Sequence, residues 1–195
     1  MTGIPARIGR YEIIGRLGGG GMGVVYKAHD PQIGRDVAIK QIREELDSQD
    51  LRDRLLREVR ATGRLRHPNI VSTFDIGDHD GFPFIVMELV EGRPLDAIIA
   101  AGDKLPLRIR IDLMAQLCSG LAAAHDAGII HRDVKPANLI VDATGTLKIV
   151  DFGIARLTAS ATGTVAIGTA NYMSPEQWTG HGIDIRSDIF AAGAL

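Results

Sequence analysis

The sequence predicts an α+β fold built from two different halves. From Tyr11 to about residue 90, short runs rich in β-branched and aromatic residues alternate with turn residues, and one helical stretch interrupts them. Beyond residue 91, apolar residues recur at spacings of three and four, which is typical of helices. We therefore predict one domain over residues 10–90, with an antiparallel sheet and one helix. A helix-rich domain over residues 91–195 is predicted to be cut within a helix that starts near residue 187.

Composition and charge argue against several classes of partner. The chain has 195 residues, of which 45% are hydrophobic and 24% are charged, as in a globular protein with a substantial core. Lys and Arg total 22 and Asp and Glu total 24, so the net charge of -2 argues against binding nucleic acid or an acidic membrane surface. These residues contain no signal-peptide pattern and no run of the roughly 18 apolar residues that a membrane span needs. Cys118 is the only cysteine, which suits a reducing cytosol, and we predict it near the buried face of a helix.

A glycine-rich segment, LGGGGMGVVYKA, links the first two predicted strands. Gly18, Gly20 and Gly23 have the G-x-G-x-x-G spacing, in which absent side chains let backbone N–H groups approach a phosphate. A dinucleotide-binding fold requires a helix after the glycines, whereas VVYKA is β-branched and aromatic and predicts the return strand of a hairpin. The segment therefore favours a phosphate-binding hairpin over a Rossmann fold. The alternative is a flexible glycine-rich turn without a ligand.

The next strand, DVAIK, carries a candidate charged group. Its two-residue period places Ala38 and Lys40 on one face. The following helix, predicted from about Ser48 to Leu65, has an apolar stripe that includes one carboxylate, Glu58. Because a carboxylate that faces a core is costly unless it meets a cation, we expect Glu58 to pair with Lys40. The alternative is a pair with an arginine of the same helix, such as Arg54.

The longest helical pattern lies in the second half. Pro106 stands near its first turn, where proline is favoured, and Gly128 stands at its end. The apolar positions of this pattern are Ile109, Leu113, Leu117, Leu121 and Ala124. We therefore predict one long helix with this stripe buried.

The segment HRDVKPANLIVD precedes a predicted hairpin. The runs LIV and LKIV are joined by the turn DATGT, so Asn138 and Asp151 are expected together at the open end of the hairpin. An amide oxygen and a carboxylate suit a hard cation such as Mg²⁺, which keeps water and phosphate oxygens as further ligands. Asp133 is close enough in sequence to orient a hydroxyl nucleophile and to accept its proton. Lys135 is placed to neutralise a phosphoryl group during transfer.

The ordered set of motifs resembles that of protein kinase domains, from about residue 10 to residue 195. The set comprises LGGGGMGVVYKA, VAIK, the helix with Glu58, HRDVKPAN, DFG at 151–153, GTANYMSPE at 168–176 and SDIF at 187–190. The resemblance implies a bilobal protein-kinase-like fold with an incomplete C-terminal lobe. It also implies ATP and Mg²⁺ as cofactors, with Mn²⁺ as an alternative metal.

The resemblance assigns a role to each matching residue. It implies that Lys40 holds the α- and β-phosphates of ATP while it is paired with Glu58. It implies that Asp133 is the catalytic base, and that Asn138 and Asp151 hold the metal ion. The residues that it places around the nucleotide are Leu17, Gly18, Gly20, Gly23, Val25, Ala38, Met87, Glu88, Val90 and Ile140.

Two positions imply transfer to serine or threonine. Lys135, two residues after the base, and Thr169 resemble the residues that serine/threonine kinases carry there. Arg132 resembles the arginine that binds a phosphorylated activation loop, and we predict autophosphorylation at Thr162 and Thr164. The implied partners are therefore proteins with serine or threonine acceptors, including the chain itself.

GGMG, DFGIAR and SPEQ together resemble the bacterial branch of the family. Many members of that branch continue into a membrane span and a sensor, so we expect a cytoplasmic domain of a protein that is anchored in the membrane beyond residue 195. The helix in RSDIFAAGAL is predicted to have Ser187 as its N-cap. The resemblance implies that Asp188 braces the HRD backbone and that the usual arginine partner of Glu176 is absent. We expect exposed apolar surface and marginal stability.

Two other functions fit parts of the pattern. One is a non-catalytic nucleotide-binding or scaffolding fragment, and the other is a small-molecule phosphotransferase. The first is disfavoured because the sequence contains every residue that the reaction requires, namely Lys40, Glu58, Asp133, Asn138 and Asp151. The second is disfavoured because GTANYMSPE resembles a groove for protein substrates.

Overall fold

Six antiparallel strands form the first sheet of the chain. The structure is a computed structural model that describes residues 4–20, 23–42, 49–102, 104–152 and 170–195. The strands are β1 (Arg7–Ile8), β2 (Tyr11–Gly20), β3 (Gly23–Asp30), β4 (Arg35–Ile42), β5 (Thr73–His79) and β6 (Phe82–Glu88). They lie in the order β1-β2-β3-β4-β6-β5, and each neighbouring pair is antiparallel. This confirms the antiparallel sheet predicted for the first half.

The glycine-rich segment forms a β hairpin. Strands β2 and β3 pair from Glu12 opposite His29 to Gly20 opposite Gly23, so VVYKA is the predicted return strand. Gly23 has a φ angle of 154°, and a Cβ atom there would collide with the carbonyl oxygen of Gln41 in β4. Only glycine fits this close approach of two strands.

One face of the first sheet is buried in a hydrophobic core. The buried members are Ile8, Tyr11, Val24, Tyr26, Ala28, Val37, Ile39, Phe84 and Val86. In β3 and β4 these residues alternate with Val25, Ala38 and Lys40, which therefore project from the opposite face. The two-residue period of DVAIK predicted this separation.

A polar network connects the start of β2 with β3 and β5. The side chain of Asp30, which is 1% exposed, accepts hydrogen bonds from Arg10 Nη2 at 3.2 Å and from the backbone N–H of Gln32 at 3.0 Å. Arg10 also lies 3.2 Å from Asp75 Oδ2, to which Tyr11 Oη donates at 2.8 Å. Burial alone would raise the pKa of Asp30, but the hydrogen bonds from Arg10 and Gln32 outweigh it and hold the pKa below its usual value.

We expect Asp30→Asn to make the stability of the protein less sensitive to acid. A carboxylate with a lowered folded-state pKa stabilises the fold above its unfolded pKa of about 3.9, and this contribution is lost as the pH falls through the folded-state pKa. The variant should therefore have a lower Tm than the wild type near neutral pH, and the difference should shrink below about pH 4. Thermal denaturation across this range measures the difference. The control is Asp80→Asn, at a side chain that is 83% exposed, and a constant difference for Asp30→Asn would contradict the prediction.

The first helix, α1, runs from Gln49 to Thr62. The sequence predicted an end at Leu65, but the helix ends three residues earlier. Gly63 follows the last helical residue, and its N–H closes the final turn by bonding to Val59 O at 2.8 Å. Glycine has a low helix propensity, so the helix ends here and the apolar residue at position 65 was a misleading signal. Glu58 is half-buried on this helix, and the side chain of Arg54 lies outside the described residues.

The chain divides into two compact units. The first comprises Met1–Gly63 and Ser72–Leu89, and the second comprises Arg64–Val71 and Val90–Leu195. Backbone hydrogen bonds join the segment 64–71 to the second unit, since Val71 N donates to Ile149 O at 3.0 Å and Ile149 N donates to Asn69 O at 2.8 Å. The segment therefore belongs to the second unit although it directly follows α1.

The second unit contains a three-stranded sheet and several helices. Its antiparallel strands are β7 (Gly92–Pro94), β8 (Leu139–Asp142) and β9 (Leu147–Ile149), in that order. Its helices are α2 (Leu95–Ala100), α3 (Leu107–Asp126), α4 (Pro175–Thr179) and α5 (Ile185–Gly193), with 3₁₀ turns at Pro136–Asn138 and Ala170–Tyr172. Within the described ranges, every helix is too short or too polar to cross a membrane.

The helix α3 forms the centre of the second core. Pro106 is its N-cap, and Gly128, with a φ angle of 73°, follows its end as predicted. The buried positions of the predicted stripe are Leu113, Leu117, Leu121 and Ala124. The predictions for two other residues were wrong, because Ile109 is 43% exposed and Cys118 is also exposed. Ile109 lies in the first turn, ahead of the buried stretch, and Cys118 is rotated by about 100° from the buried Leu117.

Candidate active site

The loop at residues 131–133 is anchored by the ring of His131, which is completely buried. Its Nε2 atom lies 2.9 Å from Val150 O, and its Nδ1 atom lies 3.2 Å from Asp133 N. Because a carbonyl oxygen can only accept and a backbone N–H can only donate, Nε2 carries the hydrogen and Nδ1 accepts. The ring of Phe152 packs against the imidazole with 4.5 Å between centroids. The histidine thus ties the loop to the residues that follow β9.

Asp188 in α5 holds the backbone of this loop. It is completely buried, and its two carboxylate oxygens accept hydrogen bonds from His131 N and Arg132 N, both at 2.8 Å. His125 Nε2, at the end of α3, lies 2.8 Å from the same carboxylate. Each buried carboxylate oxygen therefore has a donor, as buried polar atoms require. The bracing role that the kinase resemblance implied for Asp188 is confirmed.

The helix α5 begins earlier than the sequence predicted. Its N-cap is Asp184, whose carboxylate accepts a hydrogen bond from Arg186 N at 2.8 Å. The predicted N-cap, Ser187, lies inside the helix instead, and its hydroxyl group donates to Glu176 Oε1 at 2.6 Å. That hydrogen bond lowers the pKa of Glu176. Asp and Ser are both good N-caps, so composition alone did not distinguish the two positions.

Arg132 has an unusual backbone conformation. Its φ angle is 68°, in the left-handed region that residues other than glycine rarely adopt. Its N–H donates to Asp188, and its carbonyl oxygen accepts a hydrogen bond from Gln177 Nε2 at 2.7 Å. Such strained residues persist where the surrounding structure fixes them, and they concentrate at functional sites.

Two polar side chains contact Asp133, which is 8% exposed. Asn138 Nδ2 donates to the backbone oxygen of Asp133 at 2.8 Å and to its Oδ2 at 3.0 Å. Lys135 Nζ lies 2.8 Å from the same Oδ2 atom. The 3₁₀ turn at Pro136–Asn138 brings the asparagine back towards the loop. A carboxylate, an ammonium group and an amide are thereby assembled from six consecutive residues.

The β8–β9 hairpin positions Asn138 and Asp151 at its open end. Strand β8 pairs with β9, and Val150 N donates to Asn138 O at 3.0 Å, directly before Asp151. The turn is closed by Asp142, whose Oδ1 accepts hydrogen bonds from Thr144 Oγ1 at 2.7 Å and Thr144 N at 2.8 Å. The hydroxyl group of Thr144 is the main cause of the lowered pKa of Asp142. The predicted hairpin is confirmed.

Asn138 and Asp151 form a donor set that fits a magnesium ion. Because Nδ2 of Asn138 bonds to Asp133, its amide oxygen is directed to the opposite edge of the amide group. Amide and carboxylate oxygens are hard ligands, and Mg²⁺ commonly binds one or two protein groups together with water and phosphate oxygens. In the described part of the chain, no cluster of three His, Cys, Asp or Glu residues could hold a metal ion. The oxygen atoms of Asn138 and Asp151 thus suit Mg²⁺ by their chemistry, and the role of these residues as its ligands stays a prediction.

In the first unit, four predicted nucleotide-binding residues share one face of the sheet. Val25 in β3 lies opposite Lys40 in β4, and Ala38 in β4 lies opposite Met87 in β6. Directly opposed residues of antiparallel strands project to the same side. Lys40 is only 4% exposed, and an ammonium group buried to this extent needs a polar or anionic partner. Its pairing with Glu58 stays a prediction.

The other predicted nucleotide-binding residues are divided between the two units. Those in the β2–β3 hairpin are Leu17, Gly18, Gly20 and Gly23, of which Leu17 is 53% exposed beside a register shift. Glu88 ends β6, and its N–H donates to Ser72 O at 2.9 Å while its carboxylate accepts from Ser72 N at 3.1 Å. Val90 and Ile140 belong to the second unit, where Ile140 lies in β8.

Some predictions concern residues outside the described ranges. Thr169 and the predicted phosphorylation sites Thr162 and Thr164 fall in the segment 153–169. Sequence reasoning, in turn, missed His125 and Gln177, which contact the loop or its brace. Ser174 and Gln177 have the S-x-x-Q spacing of a capping box, which was a usable signal for the glutamine. His125 offered no such signal, because its partner lies 63 residues away.

Comparisons with known proteins identify matches along nearly the whole chain. The family model described as the protein kinase domain matches residues 11–195. A probable serine/threonine-protein kinase of Corynebacterium efficiens is 46% identical over 95% of this chain. The serine/threonine-protein kinase PrkC of Bacillus subtilis is 43% identical over 96% of this chain. A crystal structure of the Mycobacterium tuberculosis PknI kinase domain is 28% identical, with a TM-score of 0.75 over 95% of this chain and 72% of that one.

The match covers only part of each curated relative. This chain spans 30% of the length of the Corynebacterium efficiens protein and 30% of the length of PrkC. The solved structure confirms the bilobal fold class that the motifs implied.

Proposed function

The chain belongs to the protein kinase family, and from this premise we propose that it transfers the γ-phosphoryl group of ATP to serine or threonine hydroxyl groups of proteins. One observation carries the proposal. Asp133 contacts both Lys135 and Asn138, in a loop whose backbone Asp188 holds. That combination supplies a proton acceptor, a cation for the phosphoryl group and a metal ligand within one segment.

We assign nucleotide binding to residues 10–90 and catalysis to residues 91–195. The hairpin glycines Gly18, Gly20 and Gly23 bind phosphate through the backbone. Lys40 binds the α- and β-phosphates and is oriented by Glu58. Within the first unit, the side chains of Val25 and Ala38 contact the adenine ring, the backbone of Glu88 bonds to its edge, and Met87 is the gatekeeper residue beside it. The near burial of Lys40 and the shared face of Val25, Ala38 and Met87 support this assignment.

In the reaction, Asp133 orients the hydroxyl group of the substrate and accepts its proton on a carboxylate oxygen. Lys135 stabilises the negative charge of the phosphoryl group during transfer. Asn138 and Asp151 would hold Mg²⁺, or Mn²⁺ in its place, and the bound ion supplies charge neutralisation at the phosphates. Asn138 also fixes the carboxylate of Asp133 by its hydrogen bond, so the two roles are coupled in one side chain.

Protein substrates with serine or threonine acceptors follow from Lys135 and Thr169, and the chain itself is one such substrate. Thr162 and Thr164 are the proposed sites of autophosphorylation, with Arg132 as the group that binds the added phosphate. We further propose that the domain works in the cytoplasm, as part of a longer protein anchored in the membrane.

Incubation with Mg-ATP and a generic protein substrate tests the proposal. We expect the wild type to add phosphate to serine and threonine residues, and Lys40→Met to reduce the rate by about 10²-fold or more, because it keeps the apolar stem but removes the phosphate ligand. The control is Lys104→Met, at an exposed residue between α2 and α3. Nucleotide binding without transfer would support a non-catalytic module instead. Phosphate transfer to a small hydroxylated compound alone would support the alternative phosphotransferase.

A further inference from the structure

The side chain of Gln177 is bonded at both ends of its amide group. Its oxygen, Oε1, accepts hydrogen bonds from Ser174 N at 3.1 Å and from Ser174 Oγ at 3.2 Å. Its nitrogen, Nε2, donates to the carbonyl oxygen of Arg132 at 2.7 Å. Gln177 therefore links the start of α4 to the loop at residues 131–133.

The orientation of this amide is determined by its partners. A backbone N–H can only donate, so the amide oxygen must face Ser174, and the amide nitrogen must face Arg132. Ser174 is completely buried and is the N-cap of α4, and Gln177 is the third residue of that helix. This is the arrangement of a capping box, in which the third helical residue accepts from the N-cap backbone. A motif that stabilises the helix thus directs a donor towards the loop.

The hydrogen bond from Gln177 to the carbonyl oxygen of Arg132 restrains the peptide group between Arg132 and Asp133. The carbonyl oxygen of Arg132 and the N–H of Asp133 belong to the same rigid peptide group. Gln177 holds the oxygen of this group at 2.7 Å, and His131 Nδ1 holds its N–H at 3.2 Å. With a φ angle of 68° at Arg132, this plane has an uncommon orientation that needs support on both sides. The direction of the Asp133 side chain depends on that plane.

We propose that Gln177 is a positioning residue for the phosphoryl transfer, which sets the direction of Asp133 by holding the peptide group between Arg132 and Asp133. The inference rests on the proposed function, in which Asp133 is the base. A capping box accepts glutamate as readily as glutamine at the third position, so the cap alone does not require this residue. Of these two residues, only glutamine can also donate an N–H to the loop, because the ionised carboxylate of glutamate has acceptors and no donor.

The decisive variant is therefore Gln177→Glu, which keeps the cap of α4 but places an oxygen against the carbonyl of Arg132. We expect kcat to fall by about 10-fold to 10²-fold, since small displacements of a catalytic group have effects of this size. The KM for ATP should change by less than about twofold, because the nucleotide is bound by other residues, and Tm should stay within about 3 °C of the wild type. The control is Gln32→Glu, which makes the same chemical change at an exposed turn residue.

Acid should partly rescue the variant. Once protonated, the introduced carboxyl group can donate its O–H to the carbonyl of Arg132, as the amide does. The ratio of kcat for Gln177→Glu to kcat for the wild type should therefore rise as the pH is lowered from about 8 towards about 5. A purely structural role for the side chain would leave that ratio constant.

Hydrogen exchange separates this inference from the proposed function. We expect the backbone amides of residues 131–134 to exchange faster in Gln177→Glu than in the wild type or in Gln32→Glu, whether or not the protein transfers phosphate. Absence of transfer by the wild type would refute the proposed function, and the exchange rates would still decide the role of Gln177. Unchanged exchange in this loop would overturn the inference. An unchanged kcat in an active protein, or a fall in kcat matched by a fall in Tm, would overturn it equally.

Discussion

Replacing Asp133 by asparagine should reduce phosphate transfer by about 10²-fold to 10⁴-fold without unfolding the protein. The variant loses the proton acceptor and the negative charge that Lys135 contacts at 2.8 Å. Its new amide keeps the shape of the carboxylate and can still accept the hydrogen bond that Asn138 donates to Asp133 Oδ2 at 3.0 Å. Tm should therefore change little, and the loss should appear in kcat rather than in the KM for ATP.

Intact mass measured over time with Mg-ATP provides the test. The control is Asp126→Asn, an exposed aspartate at the end of α3, which should behave like the wild type. If Asp133→Asn gains phosphate as fast as the wild type, Asp133 is not the base and the proposed mechanism is wrong. If the wild type gains none, the proposed activity is wrong.

Replacing Asp188 by alanine should have the largest effect on stability. The substitution leaves the N–H groups of His131 and Arg132 and the ring of His125 without the acceptor that they share. A buried donor that loses its partner costs about 1–3 kcal/mol, so the two backbone groups alone imply a loss of about 2–6 kcal/mol. The total stability of a domain is about 5–15 kcal/mol, so this loss is a large fraction of it and should clearly lower the urea concentration at the midpoint of unfolding.

Urea unfolding followed by circular dichroism measures this loss. Asp188→Asn should be less destabilised than Asp188→Ala, because its amide oxygen can still accept one of the loop hydrogen bonds. Asp126→Ala serves as the control for removing a carboxylate from an exposed helical position. Equal stability of Asp188→Ala and the control would show that the loop does not depend on this carboxylate.

The elements that the sequence predicted correctly are those with a local pattern. The return strand VVYKA, the two faces of DVAIK and the hairpin around Asp142 all follow from two-residue alternation and turn residues. Pro106 and Gly128 marked the ends of α3 for similar reasons. The order of motifs then implied the positions of the polar loop residues, because each motif is a short segment with its own geometry.

The errors arose where distant residues decide the outcome. Cys118 is exposed because the burial of Leu117 and Leu121 fixes the rotation of α3 about its axis. The apolar residues next to Cys118 in the sequence do not indicate this rotation. Ser187 and Asp184 were equivalent N-caps by composition, but the bond from Ser187 to Glu176 needs α4 in place. Gln177 has a partner 45 residues away, which no pattern within a short window indicates.

The brace of the loop also has a consequence for the order of events during synthesis. Asp188 lies 57 residues after His131, and its carboxylate accepts the hydrogen bond that the backbone N–H of His131 donates. Protein chains leave the ribosome from the N-terminus at about 5–20 residues per second, so the glycine hairpin, Lys40 and Asp133 all emerge seconds before Asp188 does. A nascent chain therefore carries the reactive groups before it can fix their arrangement.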